Sequence, residues 1–448
     1  MHIKLSHVME MIVFIFLTTW VAQHISLKMD SCHAIPKNNY NRQQDSLAFK
    51  GVQNELNGEI NLAIVIKHAL VNNPELQSYR GRLLIKDSEQ VQAGLRPNPE
   101  FEFELENFGG SGPFNGFTAS EYTLAIGQRL ELGGKRKKRK TLAALGRDLA
   151  VQDYEAARLN LHTKVIKHCL EVSRAQQQKR LREEQVRTAR QLVSYIEEHI
   201  HSGALSTADR ARARVVLATA EIEHYRASQE QYSAKCRLAA TWGSETANFT
   251  LAPGELQIPN SIPSLESILP LVNQNPDIAR QEYERKRAEA VIELEKSKRI
   301  PDPVIAAGYR CFNDIDKSAL MVKLSLPFPL FNRNQGNLQK AMIQKQQIWL
   351  NTRNKRVEIN TKIKTLYYDL KAIHKKIRLL EDEILPQAEQ AFQITRTSYT
   401  KGKLNFIEVS DAQKSWFEYR DGLISARIEY CMIIADMERL IGHNLKIN

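Results

Sequence analysis

The chain has 448 residues, of which 42% are hydrophobic and 25% are charged, and its formal net charge is +12. This balance excludes a disordered chain and a helical membrane protein, and 20 Gly, 15 Pro and 5 Cys exclude a collagen-like or disulfide-rich scaffold. A basic chain of this length is compatible with a nucleic-acid partner, an anionic lipid surface or many solvated helices.

Residues 1–34 are typical of a secretory signal. A basic start precedes the apolar run Met11–Leu17, which is shorter than the roughly 20 apolar residues that span a bilayer. We expect cleavage after Ala34, followed by a polar segment over 35–60. Alternatively, Cys32 is the lipid-modified first residue of a lipoprotein, although the preceding Met29-Asp30-Ser31 fits a lipoprotein signal poorly.

Most of the remaining chain is an internal repeat. Four short landmarks recur in the same order, at offsets of 202, 204, 198 and 199 residues. They are Asn73-Pro74-Glu75-Leu76 with Asn275-Pro276-Asp277-Ile278, Pro97-Asn98-Pro99 with Pro301-Asp302-Pro303, Leu130–Lys135 with Phe328–Arg333, and Ser202–Ser206 with Lys401–Asn405. We therefore divide the chain into a first repeat (61–250), a linker (251–263), a second repeat (264–442) and a short tail (443–448).

Each repeat is predicted to have the same four parts: a helix of about 34 residues, a β-hairpin, a very long helix and a shorter return helix. In the first repeat these are Leu62–Leu95, the hairpin at 99–130, Leu142–His201 and Ser206–Trp242. In the second repeat they are Leu265–Arg299, the hairpin at 303–328, Gln335–Thr400 and Asn405–Ile441.

Apolar residues at alternating steps of three and four predict that each long helix packs against its return helix as an antiparallel coiled-coil hairpin. In the first repeat the predicted seam uses Val186–Ile200 on the long helix and Ala208–Tyr225 on the return helix. The predicted fold class is therefore mainly α with a small β part. The fold is predicted to consist of two internal structural repeats.

The four predicted strands are short and amphipathic. Glutamates alternate with Phe101, Phe103 and Leu105 in the first strand, which is the period-two pattern of one polar and one apolar face. Strands in lipid cannot leave open edges, and membrane barrels need at least about eight strands. One chain supplies four, so if these strands enter a membrane, at least two chains must pool them, and three would supply twelve.

Four motifs, taken together in their order, resemble those of the TolC-type outer-membrane efflux proteins. They are Asn-Pro-Glu-Leu, Pro-Asn-Pro-Glu, Glu106-Asn107-Phe108-Gly109-Gly110 and Gln128–Arg136. The similarity is greatest to the branch that serves cobalt–zinc–cadmium and copper–silver export, and it covers 61–442. It implies a homotrimer in the outer membrane of a Gram-negative bacterium, with a shared twelve-stranded transmembrane β-barrel and a helical periplasmic tunnel. It also implies a periplasmic adaptor (membrane fusion) protein and an inner-membrane proton-driven RND-type pump as partners.

This resemblance predicts a passive exit duct for divalent or monovalent heavy-metal cations, with no enzymatic activity, cofactor or resident metal. An exit duct for drugs or for type I protein secretion is an alternative. A third possibility is a coiled-coil scaffold that binds nucleic acid, but such a scaffold needs neither a secretory signal nor β-hairpins. We therefore expect outer-membrane lipid, and no nucleic acid, as a partner.

Three groups of residues are candidate sites. The turns between long and return helices are predicted to be the adaptor-docking tips, although Gly and N-capping residues there also simply make tight turns. These residues are Gly203, Ala204, Leu205, Ser206, Gly402, Lys403, Leu404 and Asn405.

The second group is the alternating glutamates, which either line the pore or form a solvated strand face without selectivity. They are Glu100, Glu102, Glu104 and Glu106. The third group is a basic run after the first hairpin, which either contacts lipid head groups or is solvated. It comprises Lys135, Arg136, Lys137, Lys138, Arg139 and Lys140. No motif assigns a catalytic residue.

Overall fold

The computed structural model describes residues 55–200, 206–252 and 258–445. All of these described residues belong to one compact unit. The predicted signal, including Cys32, and three residues of the first tip turn, Gly203, Ala204 and Leu205, lie outside the described residues. No helix in the described ranges is both long and apolar enough to cross a membrane.

Both repeats contain the predicted parts in the predicted order. In the first repeat the elements are β1 (Gly58–Ile60), α1 (Leu62–Asn72), α2 (Pro74–Ala93), β2 (Glu100–Glu106), β3 (Glu121–Arg129), α3 (Lys135–Ile200), α4 (Thr207–Ala239) and β4 (Phe249–Leu251). In the second they are α5 (Leu265–Ile268), α6 (Pro276–Ser297), β5 (Val304–Phe312), β6 (Lys317–Ser325), α7 (Gln335–Leu379), α8 (Leu385–Thr400) and α9 (Phe406–Ile441).

The first predicted helix of each repeat is in fact broken in two. Asn73 caps α2, because its side chain accepts a hydrogen bond from the Leu76 N–H at 2.7 Å and Pro74 starts the helix. Asn275 does the same for α6, accepting from the Asp277 N–H. Each asparagine also donates to the end of its own return helix, at the carbonyls of Thr241 and Leu440.

The long helices also differ from the prediction. Helix α3 has 66 residues and begins at Lys135, seven residues before the predicted start, so it is about 100 Å long. The second long helix is interrupted by a π-helical turn at Leu380–Ile384, after which α8 continues with Pro386 in its first turn. A proline cannot donate the helical hydrogen bond, so the chain changes its winding there.

The coiled-coil seam is confirmed on the long helix and wrong on the return helix. Val186, Ala189 and Ile196 are buried as predicted. On α4 the buried face contains Ala213 and Ala220, whereas the predicted seam residues are exposed; they include Val215, Ile222 and Tyr225. Buried alanines let two helix backbones approach closely, and the larger side chains therefore turn away from α3 in this chain.

The hydrophobic core follows the repeat. In the first repeat it joins α3 and the end of α4 to the small parallel β1–β4 ribbon, through residues such as Val165, Val172, Leu238 and Trp242. The second core places Ile363, Leu370, Met437 and Ile441 at corresponding positions, 198 or 199 residues later. The two hairpins then lie side by side in one antiparallel sheet, in the order β2-β3-β5-β6.

Candidate functional site

The four-stranded sheet has one apolar face, and this face is exposed. Leu320 and Val322 of β6 have 82% and 78% of their surface accessible. Soluble proteins do not leave a contiguous apolar sheet face in water, so this face needs an apolar environment. Its exposed members are Phe101, Phe103, Ile126, Ile305, Leu320, Val322 and Leu324, which we call the apolar face.

The opposite face carries the four glutamates, as the alternation predicted, and we call it the acidic face. Small residues occupy its centre: Glu102 pairs in register with Ala125, and Ala125 pairs with Gly308. Gly308 is required there, because a Cβ atom would lie 2.5 Å from the Leu124 carbonyl oxygen. The small centre leaves space in which Lys323 of β6 reaches Glu102 of β2 at 3.1 Å.

Basic side chains offset much of the negative charge on the acidic face. Arg310 lies 3.4 Å from Glu106 and 3.1 Å from Glu121, and Lys323 pairs with Glu102. The sequence pattern drew attention to the carboxylates, but the pairings between strands were visible only in the structure. The face therefore carries a mixed rather than a purely anionic lining.

The basic run contacts the protein itself at several points. The Lys135 ammonium is 2.6 Å from an Asp302 carboxylate oxygen and also donates to the Ile300 carbonyl, and its side chain is only 9% exposed. Lys135 is thus not available to a lipid head group, which corrects the prediction for this residue. Asp302 supplies the anion that a basic helix start requires.

Two arginines of the run are also engaged. Arg136 donates to the Gly94 carbonyl, and Arg139 makes a bidentate pair with Glu131. The hydrogen bonds that Arg139 donates to Glu131 raise the pKa of its guanidinium, against the opposing effect of burial. Lys138 lies 3.7 Å from Glu293, and Lys137 and Lys140 are exposed. Of the run, only Lys137 and Lys140 have neither a side-chain ion pair nor a side-chain hydrogen bond among the described contacts.

The tip turns have the capping chemistry that the sequence indicated. The Ser206 hydroxyl accepts from the Asp209 N–H at 3.1 Å. Asn405 and Glu408 form a reciprocal capping box, in which Glu408 accepts from the Asn405 N–H at 2.8 Å. Gly402 has φ +69°, a left-handed conformation that favours glycine. Lys403 is exposed and Leu404 is half-buried.

Behind the tips lies an aromatic cluster that sequence reasoning missed. Tyr195 donates to the Thr400 carbonyl at 3.0 Å and lies beside Tyr399, so the end of α3 contacts the end of α8. A cavity of about 80 Å³ between α3, α8 and α9 is lined by Tyr399 and Gln413, whose buried hydroxyl and amide nitrogen have no hydrogen-bond partner among the described residues. Burial raises the pKa of Tyr399 to about 12. These residues are more than 200 positions apart from Tyr195, so no local pattern could have joined them.

Within the described ranges, no group of three or more His, Cys, Asp or Glu side chains could hold a metal ion. The model of the outer membrane efflux protein family matches residues 65–244 and 270–443, which include both repeats. The chain belongs to the outer membrane efflux protein family.

Individual relatives of this outer membrane efflux protein agree with the family match. The cobalt-zinc-cadmium resistance protein CzcC of Cupriavidus metallidurans is 26% identical, over 87% of this chain and 91% of the relative. The cation efflux system protein CusC of Escherichia coli strain K12 is 25% identical, over 89% and 93%. A crystal structure of CusC matches with a TM-score of 0.71 at 19% identity, covering 86% of this chain and 92% of that one.

Family membership confirms the resemblance, the mainly helical fold class and the outer-membrane location. As an outer membrane efflux protein, this chain is a channel component and not an enzyme.

Proposed function

We propose that the protein is the homotrimeric exit channel of a tripartite system that exports heavy-metal cations. The observation that carries this proposal is the sheet, whose apolar face is exposed while its polar face is built from charged and small residues. Three such sheets supply twelve strands, enough to close a barrel with lipid outside and water inside. The long helices then extend the channel into the periplasm.

The substrate class is supported by the names of the relatives, cobalt-zinc-cadmium resistance for CzcC and cation efflux for CusC. The mixed charge of the acidic face fits a duct that discriminates weakly, because Arg310 and Lys323 offset several carboxylates. The inner-membrane pump therefore selects the cation and supplies the energy, and the channel provides the path.

We assign the tip turns to contact with the periplasmic adaptor. The cap hydrogen bonds of Ser206 and Asn405 fix the starts of α4 and α9, and Lys403 lies exposed two residues before the cap of α9. Lys403→Glu should abolish metal resistance while the channel still reaches the outer membrane. Lys375→Glu, an exposed lysine within α7, is the matched control. Equal metal resistance in the two variants would show that the tip is not part of the docking site.

The exposed lysines of the basic run are proposed membrane contacts, and lipid modification of Cys32 stays the alternative to cleavage after Ala34. Lys137 and Lys140 lie just after the sheet, where they reach phosphate head groups of the inner leaflet. Modification of Cys32 is tested by the intact mass of the mature protein, since a lipoprotein carries acyl chains and a protein cleaved after Ala34 does not.

The decisive test is deletion of the gene, followed by growth across zinc, cadmium, cobalt, nickel, copper and silver, with a panel of dyes and antibiotics in parallel. We expect sensitivity and raised cell-associated metal for a subset of the cations, restored by the wild-type gene. Sensitivity to the organic compounds alone would favour drug export. Loss of a secreted protein with unchanged metal resistance would favour type I secretion.

A further inference from the structure

A row of basic residues runs along the middle of α7 and belongs to none of the sites described above. Positions on one face of a helix recur at steps of three and four. On α7 such steps give Arg353, Arg356, Asn360, Lys364, Tyr367 and Lys371. The four basic side chains of this series are all exposed, and we call Arg353, Arg356, Lys364 and Lys371 the basic stripe.

The basic stripe has no counter-charge within the part of the chain that the structure describes. None of its four side chains makes an ion pair or a hydrogen bond there, whereas Lys355 of the same helix pairs with Glu358 at 3.1 Å. Like charges three or four positions apart on a helix repel one another. Arg353 and Arg356 are such a pair, so an anion that covers the stripe relieves this repulsion.

The fold does not require this charge, because the first repeat lacks it. The shift of 198 residues that relates the two cores gives the four counterparts of the stripe, which are Glu155, Arg158, Ile166 and Ser173. Arg158 pairs with Glu155 at 2.8 Å, and the other two are uncharged. A long helix in this position therefore folds without a basic face, and the stripe is particular to the second repeat.

The stripe lies on the outer side of the proposed channel wall. The next position of the same helix face is His374, whose ring lies 2.9 Å from the Pro259 carbonyl of the linker. The 3₁₀ turn Leu269–Gln274 also packs on α7, through Val272. Segments that cross the long helices would obstruct a water-filled duct if they lay inside it. The linker and the turn are therefore outside, and so is the stripe beside them.

The depth of the stripe separates it from the membrane and from the tips. Arg353 and Lys371 lie 18 and 36 residues after Gln335, where α7 begins. At 1.5 Å per residue, the stripe is about 27–54 Å below the start of the helix. Thr400, at the end of α8, is about 43 Å further. Lipid head groups and an adaptor bound at the tips are both out of reach, so the partner is a component of the periplasm between them.

A cavity of about 290 Å³ opens beside the middle of the stripe. Arg356, Asn360 and Lys364 line one wall, and the 3₁₀ turn lines the other with apolar residues such as Leu269 and Val272. Two cations and an amide thus face a small apolar surface. This combination suits a short peptide whose carboxylates meet the cations and whose methyl groups meet the apolar wall.

We propose that the basic stripe and this cavity bind the cell-wall polymer of the periplasm, through the carboxylates of its short peptide stems. Protein interfaces are depleted in lysine and depend on a buried aromatic or apolar centre. The stripe instead presents flexible cations over about 27 Å, with only Asn360 and Tyr367 between them. A polymer that repeats its carboxylates can meet all four cations at once. The channel is thereby held in the cell wall, while its two ends serve the membrane and the adaptor.

This inference rests on the proposed channel, and sedimentation with isolated sacculi of a Gram-negative bacterium tests it. The detergent-extracted protein should sediment with sacculi at about 50 mM salt and several-fold less at about 300 mM, because salt screens exposed charges. Sacculi with amidated carboxylates should bind at least fivefold less protein. Arg356→Glu with Lys364→Glu should lower binding to untreated sacculi at least fivefold.

Lys362→Glu with Lys376→Glu is the matched control. Both lysines are exposed on the opposite side of α7, and this double variant changes the net charge by the same amount. It should bind sacculi as the wild type does. Arg356→Gln with Lys364→Gln removes the two charges without reversing them, and should bind at least threefold less. Equal binding by the test and control variants, or binding that amidation does not change, would overturn the inference.

Further outcomes separate this inference from the proposed function and from other partners. A conducting trimer that does not sediment with sacculi overturns the inference alone, whereas a single subunit that conducts no ions overturns the proposed function. A test variant that dissociates into single subunits in light scattering would make the stripe a contact between copies and refute binding to the wall. Sedimentation that is lost when the sacculi are first treated with protease would assign the stripe to a wall-bound protein instead.

Discussion

The ion pair between Lys135 and Asp302 holds the two repeats together where the sheet meets the long helices. Asp302→Ala leaves the Lys135 ammonium without its carboxylate, in a side chain that is 9% exposed, and removes the acceptor of the Leu132 N–H. Loss of one partner of a buried pair costs about 3–5 kcal/mol. Asp302 is 20% exposed, so we expect the lower end, about 3 kcal/mol.

That cost is measurable as a shift in thermal unfolding. At roughly 2.1 cal/mol/K per residue, about 380 described residues unfold with an entropy near 0.8 kcal/mol/K, so 3 kcal/mol lowers Tm by about 4 °C. Circular dichroism at 222 nm in detergent follows the transition. Asp302→Asn keeps a hydrogen-bond acceptor and should therefore lower Tm less than Asp302→Ala does.

The double variant Lys135→Met with Asp302→Ala removes both charges and is the control. It should recover most of the lost stability, because the penalty of Asp302→Ala comes mainly from the isolated ammonium. A Tm drop below about 1 °C for Asp302→Ala would refute the role of this pair. So would a double variant whose loss of stability equals the sum of the losses of Lys135→Met and Asp302→Ala alone.

Three further predictions concern separate parts of the chain. Asn405→Ala removes the N-cap of α9 and should cost about 1 kcal/mol, measured by denaturant unfolding, with no effect expected for Lys375→Ala. Gly308→Ala places a Cβ against Leu124 and should cost about 1–3 kcal/mol or prevent assembly; normal amounts of assembled protein would contradict the close strand packing. Burial raises the pKa of Glu438, despite the hydrogen bond from the Leu445 N–H and the nearby His443. The neutral carboxyl therefore favours the folded state below the ordinary carboxyl pKa, and this contribution is lost as pH rises through the raised pKa. Glu438→Gln should flatten that part of a Tm profile between pH 4 and 8, and an unchanged profile would exclude Glu438 as its source.

Local signals in the sequence predicted much of the fold. The two faces of β2 follow from the alternation of glutamates with apolar residues, and the starts of α4 and α9 follow from capping residues, which act over a few positions. The Asn-Pro pairs at 73 and 275 were visible as repeat landmarks, yet they also end helices. Their second role depends on hydrogen bonds to carbonyls of Thr241 and Leu440, which lie more than 160 residues away.

Other features depend on contacts that no local pattern specifies. The basic run looked like a surface patch, but Asp302 and Glu131 neutralise Lys135 and Arg139. The face of α4 that packs on α3 is chosen by the close approach of the two helices, which favours alanine over valine or isoleucine. The charge balance of the acidic face depends on Arg310, which comes from the other repeat.

Ion conduction by the purified protein tests the channel most directly. The protein is extracted in detergent, its mass is measured by light scattering, and it is added to a planar lipid bilayer. We predict a trimer that inserts and gives discrete conductance steps with weak cation preference. That preference should decrease when Glu100, Glu102, Glu104 and Glu106 are replaced by glutamine. A monodisperse single subunit that conducts no ions would contradict the account.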